Sequence, residues 1–306
     1  MGKSKGFAVQ ISVIIPHLNQ PDYLKRCLTS LAAGQRQPHE IIVVDNGSTE
    51  LPQAVCAPYP NLRLLSEPIP GPGPARNAGI AASSGDILAF IDADCLADPV
   101  WLAAAAREMA DPAAQILGGD VRIALKDPKH LSALEAYESI FAYRMDRYIA
   151  REGFTGTGNL VIRSEVYEAV GPFAGIDVAE DRDWGRRASA KGFPIRYVAD
   201  MKAYHPARTS FSEIFRKWDR QTAHDYATGA QGGVGKLKWL LKTLAMPFSV
   251  LAHAPQVFAS PRITGMGNRF RAVWALVIVR MYRAQVMARL LVGADGARLS
   301  RAWNRK

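Results

Sequence analysis

The chain has 306 residues, 48% hydrophobic and 22% charged, an ordinary globular composition that leaves room for one large core or two modest ones. Its formal charge of +10 is unevenly placed: residues 1–200 carry 20 Lys+Arg against 24 Asp+Glu, a net of −4, and residues 201–306 carry 18 against 4, a net of +14. Cys27, Cys56 and Cys95 have no paired spacing, which excludes a disulfide framework or a zinc knuckle and fits a reducing compartment. Lys3 and Lys5 precede a strand-like run broken by Pro16 and Asn19 rather than a hydrophobic signal core, so no secretion signal is visible and a cytoplasmic location is expected.

In chain order, Ile11 to Ile15 reads as a β-branched strand stopped by Pro16, and Tyr23 to Leu31 has the apolar spacing of a helix that stops at Gly34. Ile41 to Val44 and Leu62 to Leu65 are further strands, Gly71 to Pro74 a rigid turn, and Ala75 to about Ala82 a helix. Ile87 to Ile91 is a fourth strand, followed by a helix over 101–109 and an extended segment over 115–124. One long amphipathic helix is predicted over 131–149, a strand over 155–162 opened by Gly156 and Gly158, a helix over 179–190 and a short strand over 193–198. The segment Gln231–Gly235 is the candidate linker. Strands alternating with helical patterns predict an α/β fold with a mostly parallel open sheet covered on both faces.

The fourth strand ends in Asp92 and Asp94. A buried parallel strand offers chemistry at its carboxyl end, and two carboxylates one residue apart repel each other unless positive charge sits beside them. A divalent ion that also grips a diphosphate supplies that charge. Alone, an Asp-x-Asp string is as readily a solvated turn. Cys95 reads as a small buried thiol, since a hard cation prefers oxygen. Asp45 ends the second strand, where it can accept a hydrogen bond from a base or ribose, although an ordinary Asp-Asn-Gly turn explains it as well. Arg76, in the first turn after the Gly71–Pro74 segment, can reach a phosphate. Glu180 and Asp181 open the later helix, and the alternative there is simple N-capping by Asp177, Glu180 and Asp181. His205 is a further candidate metal ligand or a surface imidazole.

These signals occur in one order, and the chain resembles glycosyltransferase family 2. The matching residues are Val13-Ile14-Ile15-Pro16-His17-Leu18-Asn19, Glu40 through Thr49, Ala75-Arg76-Asn77-Ala78-Gly79, Phe90-Ile91-Asp92-Ala93-Asp94, Gly156-Thr157-Gly158-Asn159-Leu160, Val170-Gly171-Pro172-Phe173 and Glu180 through Arg187 with Gly192. The resemblance covers roughly residues 10–206 and implies a GT-A fold, with a transferase domain over 8–206; the charge and apolar runs beyond it predict a helical basic region over 207–306. It implies an inverting transferase that moves a sugar from a nucleoside diphosphate sugar, UDP favoured, to a glycan or lipid-linked acceptor, with Mn²⁺ or Mg²⁺ as cofactor. By the same resemblance Pro16, Asp45, Arg76, Asp92 and Asp94 bind the donor, and Asp94 and Asp92 hold the metal. Asp181 is then the general base, with Gly158, Asn159 and Glu180 on the acceptor side. Leu18 departs from the family, which usually places an aromatic residue there beside the base, so base selectivity is open.

The basic tail lies outside the firm part of the resemblance. Residues 243–261 lack Lys, Arg, Asp and Glu over 19 positions but include Pro247 and Pro255, a borderline length for crossing a bilayer. The apolar run 272–279 is too short. Flanking Lys236, Lys238, Lys242, Arg262, Arg269 and Arg271 suit contact with anionic lipid at the inner face of a membrane, against the alternatives of a packed helical appendage or a dimer contact. No reader module or aromatic platform accompanies the charge, which disfavours nucleic acid. Competing readings are a nucleotidyltransferase, for which a basic phosphate loop after the first strand is missing, and an inactive transferase-like membrane scaffold, for which an acid should be lost.

Overall fold

The computed structural model describes residues 9–176 and 178–293. The elements, in chain order, are β1 (Ile11–His17), α1 (Pro21–Ala32), β2 (Glu40–Asp45), α2 (Gln53–Cys56), β3 (Leu62–Ser66), α3 (Pro72–Ala82), β4 (Ile87–Ile91), β5 (Leu96–Ala97), α4 (Trp101–Met109) and β6 (Ile116–Ala124). They continue as α5 (Ala133–Phe141), α6 (Met145–Glu152), β7 (Asn159–Arg163), α7 (Ser164–Val170), α8 (Glu180–Ala190), β8 (Ile195–Pro206), α9 (Phe211–Gly229), α10 (Gly232–Ala259) and α11 (Met266–Leu291). The chain divides into two compact units: residues 1–124 with 143–206, and residues 125–142 with 207–306.

The first unit is built on one eight-stranded sheet of order β3-β2-β1-β4-β7-β6-β8-β5. Strands β3, β2, β1 and β4 are parallel, whereas β7 runs antiparallel to both β4 and β6, β6 and β8 are parallel, and β5 is antiparallel to β8. The α/β open sheet is thus as expected, with its parallel pairing concentrated in the first half. Alternating side chains feed two cores. Val13, Ile15, Ile41, Val43, Ala89 and Ile91 pack with Leu24, Leu28 and Trp101 of α1 and α4. Ile14, Ile42, Val44, Leu88 and Phe90 pack with Ala75, Val166, Trp184 and Ala188 of α3, α7 and α8. Helices on both faces explain why these strands read as continuous apolar runs.

Pro16 does not stop β1, which runs on to His17 opposite Asp45 of β2. The ladder between β1 and β4 ends at Ile14 and Phe90, so the N–H that proline lacks falls beyond that ladder. Helix α3 begins at Pro72 rather than Ala75, because proline is tolerated in a first turn whose N–H groups lack intrahelical partners. Strand β7 begins only at Asn159, and β8 extends well past the predicted Val198 to Pro206 along β6.

The predicted 131–149 helix is two helices. The chain leaves the helical path at Ala142, and Tyr143 has φ of +49°. The Tyr143 ring lies 4.7 Å from that of His205, and its hydroxyl donates to His205 Nε2 at 3.1 Å. This contact draws the chain out of a pattern whose apolar periodicity continues across the break.

Asn159, expected on the acceptor side, is wholly buried in the sheet. Its amide donates to the carbonyls of Asp120 (3.0 Å) and Met201 (2.9 Å), and its oxygen accepts from the Trp101 indole at 2.8 Å. It stitches the β6–β8 irregularity between Gly119 and Asp120, where a Cβ on Gly119 would lie 2.3 Å from the Asn159 amide nitrogen. A residue expected to face the acceptor is therefore a core fastener.

The second unit is helical. A capping box between Ser132 and Glu135 starts α5, and Asn268 of α11 accepts from Leu131 N at 3.1 Å while donating to the Lys129 carbonyl at 3.1 Å. Its cores join α5 to α11, α9 to α11 and α10 to α11. The Gln231–Gly235 segment is not a linker, since four of its five residues form the start of α10. Residues 243–261 continue that helix through Pro247 and Pro255 as far as Ala259, and among the described residues no helix is long and apolar enough to cross a membrane.

Asn159→Leu should leave two carbonyls and an indole N–H without partners. We expect a loss of about 2–4 kcal/mol in urea denaturation, well above the cost of a surface substitution.

Candidate active site

The parallel half of the sheet sets its carboxyl ends side by side, so the residues that terminate β2, β1 and β4 share one edge. Asp45 and His17 are each only 2% exposed. The Gln20 N–H donates to His17 Nε2 at 3.2 Å, which leaves the proton of a neutral ring on Nδ1 to donate to Asp45 Oδ1 at 2.9 Å. Asp45 Oδ2 accepts from Ser48 N at 3.0 Å and Gly47 N at 3.3 Å. Burial opposes ionisation of Asp45, but the hydrogen bonds from Ser48 and His17 outweigh it and hold the carboxyl below its ordinary value. Asn19, with φ of +52°, is laced to the same loop: its N–H donates to the Ser48 hydroxyl and its side-chain oxygen accepts from Thr49 N. Pro16 lies in β1 opposite Val44, and Leu18 is exposed. The site's first side therefore rests on His17, whose part the sequence reading missed. The in-line ends of the two strand patterns were the signal available.

Arg76, on α3, does not stand free for a phosphate. It is 2% exposed, and it donates through Nη2 to Asp92 Oδ1 at 2.7 Å and through Nη1 to Glu180 Oε1 at 2.9 Å. Its Nε is buried without a partner. A buried guanidinium requires anions beside it, and α3 and α8 each bring one half of the bridge between residues 104 positions apart. Glu180, expected at the acceptor, is thus committed to Arg76. Gly158 lies against Asp92 rather than in open space: a Cβ there would sit 2.5 Å from Asp92 Oδ2. Only glycine lets the loop before β7 approach that carboxylate.

Asp92, Asp94 and Cys95 bring one potential ligand atom each within 4.8 Å of one another. Burial keeps the Cys95 thiol well above its usual range, so oxygen is the available donor type. Asp94 is raised above the ordinary carboxylate value by burial, with His205 opposing the shift and Asp92 adding to it. His205 Nε2 lies 3.4 Å from Asp94 Oδ2. The His205 Nδ1–H donates to the Pro206 carbonyl at 2.7 Å, which leaves the lone pair of a neutral ring on Nε2, where it accepts from the Tyr143 hydroxyl and also faces the Asp94 oxygen. A proton or a cation between them resolves that opposition. The donor set of two carboxylates and an imidazole with its tautomer fixed suits a divalent cation.

Asp181 opens α8 one residue past Glu180. Its Oδ1 accepts from Arg182 N at 2.7 Å, and burial first, then the charge of Glu180, raises its carboxyl above the ordinary value; Asp92 and Arg76 also act on it. The helix has no side-chain cap at Ala179, so Glu180 and Asp181 are not its N-caps. Asp177 lies outside the described residues.

Comparison with known proteins gives matches in both sequence and fold. The model for glycosyl transferase family 2 matches residues 12–178. Glycosyltransferase AglE of Haloferax volcanii is 34% identical over 215 residues, which is 68% of this chain and 70% of that protein. The pre-mycofactocin glycosyltransferase of Mycobacterium tuberculosis is 28% identical over 217 residues, and there the match spans 45% of the relative's length. Among solved structures, a mannosyltransferase of Pyrobaculum calidifontis in complex with GDP-Man and Mn²⁺ superposes with a TM-score of 0.59 at 20% identity, over 98% of this chain and 89% of that one. Glucosyl-3-phosphoglycerate synthase of Mycobacterium tuberculosis, solved with Mn²⁺, UDP and glucosyl-3-phosphoglycerate, gives 0.52 at 21% identity, over 72% and 79%. At these identities the structures establish the shared GT-A fold alone. The sequence matches go further: this chain belongs to glycosyltransferase family 2.

Proposed function

We propose that the chain is an inverting, metal-dependent transferase that moves one sugar from a nucleoside diphosphate sugar, UDP favoured, to an acceptor hydroxyl. The observation that carries this reading is the convergence of Asp92, Asp94 and His205 with the Arg76–Glu180 pair and the half-buried Asp181. Asp92 and Asp94, with His205 as a further ligand, would hold Mn²⁺ or Mg²⁺, which supplies charge stabilisation to the departing diphosphate.

Asp45, held ionised by His17 and the Ser48 turn, keeps a lone pair on Oδ1 for a base N–H, and Pro16 fixes the backbone beside it. Arg76 acts through Asp92: it positions the carboxylate while Glu180 completes its charge balance. Gly158 leaves room for that same carboxylate. Asp181 takes the proton of the acceptor hydroxyl as its oxygen bonds to the anomeric carbon and the carbon–oxygen bond to the diphosphate breaks on the opposite face. One displacement inverts the centre, so no second nucleophilic carboxylate is needed.

The acceptor is proposed to be a glycan or lipid-linked molecule presented at the inner face of a membrane, with the site in the cytoplasm. Support comes from the second unit. Val234, Leu237, Leu241, Leu244, Phe248 and Leu251 recur at helical spacing along α10, all exposed, with Phe248 at 71% and Leu251 at 75%. Helices α10 and α11 carry Lys236, Lys238, Lys242, Arg269, Arg271, Arg280, Arg283 and Arg289 and no acid. A second copy would bring like charge to that face, whereas an anionic bilayer complements both the apolar stripe and its flanks.

Titration calorimetry with UDP should show binding strengthened at least about tenfold by Mn²⁺, an effect lost in Asp94→Ala; UDP binding indifferent to the metal in the parent chain would count against the donor site. Asp181→Asn should retain UDP binding and lose transfer by about a hundredfold or more. In the parent chain, kcat/KM should fall as pH drops through the raised carboxyl of Asp181, so the acid limb lies above the ordinary aspartate range. Vesicles rich in anionic lipid should sediment the chain while zwitterionic ones do not, and Phe248→Glu should abolish sedimentation; undiminished pelleting of that variant would remove α10 from the membrane.

A further inference from the structure

A cavity of about 500 Å³ opens between α9, α10 and α11, wholly within the second unit. Its lining joins two chemistries. Lys242, Arg280 and Arg283 supply positive charge, while Trp239 and Met246 supply apolar surface. The Nε groups of Arg280 and Arg283 and the hydroxyl of Thr222 are all buried without a hydrogen-bond partner, and Thr222 is only 1% exposed. These three residues all belong to the lining.

The cations are held without being neutralised. The Arg283 guanidinium lies 3.8 Å from the centroid of the Trp218 ring, and Arg280 Nη1 meets the Met246 sulfur at 3.5 Å. Among the described residues neither arginine forms an ion pair within 4.0 Å with a carboxylate. Asp225 is the carboxylate on the lining, and it accepts a hydrogen bond from Gln221 at 2.9 Å. Burial lowers Arg280, and burial with the neighbouring charge of Arg280 pushes Arg283 down to about 10, a shift that Asp225 opposes without reversing. A folded domain retains such a cluster at a cost that a bound polyanion would offset.

We propose that this cavity binds a phosphate group carried on an apolar chain: Arg280, Arg283, Lys242 and the Thr222 hydroxyl take the phosphate, and Trp239 and Met246 take the chain. Several convergent N–H donors and a hydroxyl match the tetrahedral array of phosphate oxygens better than a planar carboxylate. The volume is in the range of small-molecule sites. The site lies in the second unit and needs no sugar donor, so it stands independently of the transferase reading.

The test is calorimetry on the full chain at low salt with octyl phosphate, inorganic phosphate and octanol. Octyl phosphate should bind saturably and at least tenfold more tightly than inorganic phosphate, and octanol should not bind. Arg283→Gln should weaken octyl phosphate tenfold or more. Ala245→Phe keeps every charge and fills the space, so it should weaken octyl phosphate likewise and decides the matter if the arginine variant does not fold. Dihexanoyl phosphatidic acid binding more tightly than octyl phosphate would assign a glycerophospholipid source, and the reverse a single-chain phosphate ester. Equal affinity for octyl and inorganic phosphate, no saturable binding of octyl phosphate, or binding undiminished in folded Ala245→Phe would each overturn the proposal.

Discussion

The Arg76 guanidinium is the interaction on which the candidate site depends. Four acids, Asp92, Asp94, Glu180 and Asp181, are gathered from two distant parts of the chain, and left to themselves they would repel one another in a half-buried setting. A buried arginine between Asp92 and Glu180 lets α8 close against the edge of the sheet without that penalty. The relief is partial: burial first, and then the neighbouring acids, keep Asp94 and Asp181 above their ordinary values. That residual penalty is what the proposed roles draw on, a cation on one side and a proton on the other.

Behind this edge stands a layer of residues that do no chemistry. Asn159, Trp101 and the Gly119 irregularity lock β7, β6 and β8 together. That lock fixes where Gly158 meets Asp92 and where β8 delivers His205. Tyr143, in a left-handed conformation just as the chain re-enters the first unit, seats the His205 ring. His205 and the tyrosine that seats it thus come from positions 62 residues apart and meet at 3.1 Å.

The second unit poses the opposite electrostatic problem. Its excess positive charge is carried on α10 and α11 without acids, partly on an exposed apolar stripe and partly around an internal cavity. Surface cations are solvated at little cost, whereas Arg280 and Arg283 are not. The two settings underlie the two proposed anion contacts, one at a surface and one in the cavity.

The sequence by itself determined the apolar runs of β1, β2 and β4, the acids at the ends of β2 and β4 and hence the fold class, because strands covered on both faces leave continuous apolar stretches along the chain. It also placed Asp45, Asp92, Asp94 and Asp181 at element ends, where local punctuation by glycine, proline and aspartate is legible. Tertiary structure alone decided what those residues touch. Arg76 turned inward to two carboxylates, Asn159 became part of the core, the helix over 131–149 broke at Tyr143, and the glycine-rich 231–235 segment joined α10. The reason is that periodicity records which face of an element is buried, while the partner of a buried charge or amide is chosen by strands and helices far away in sequence.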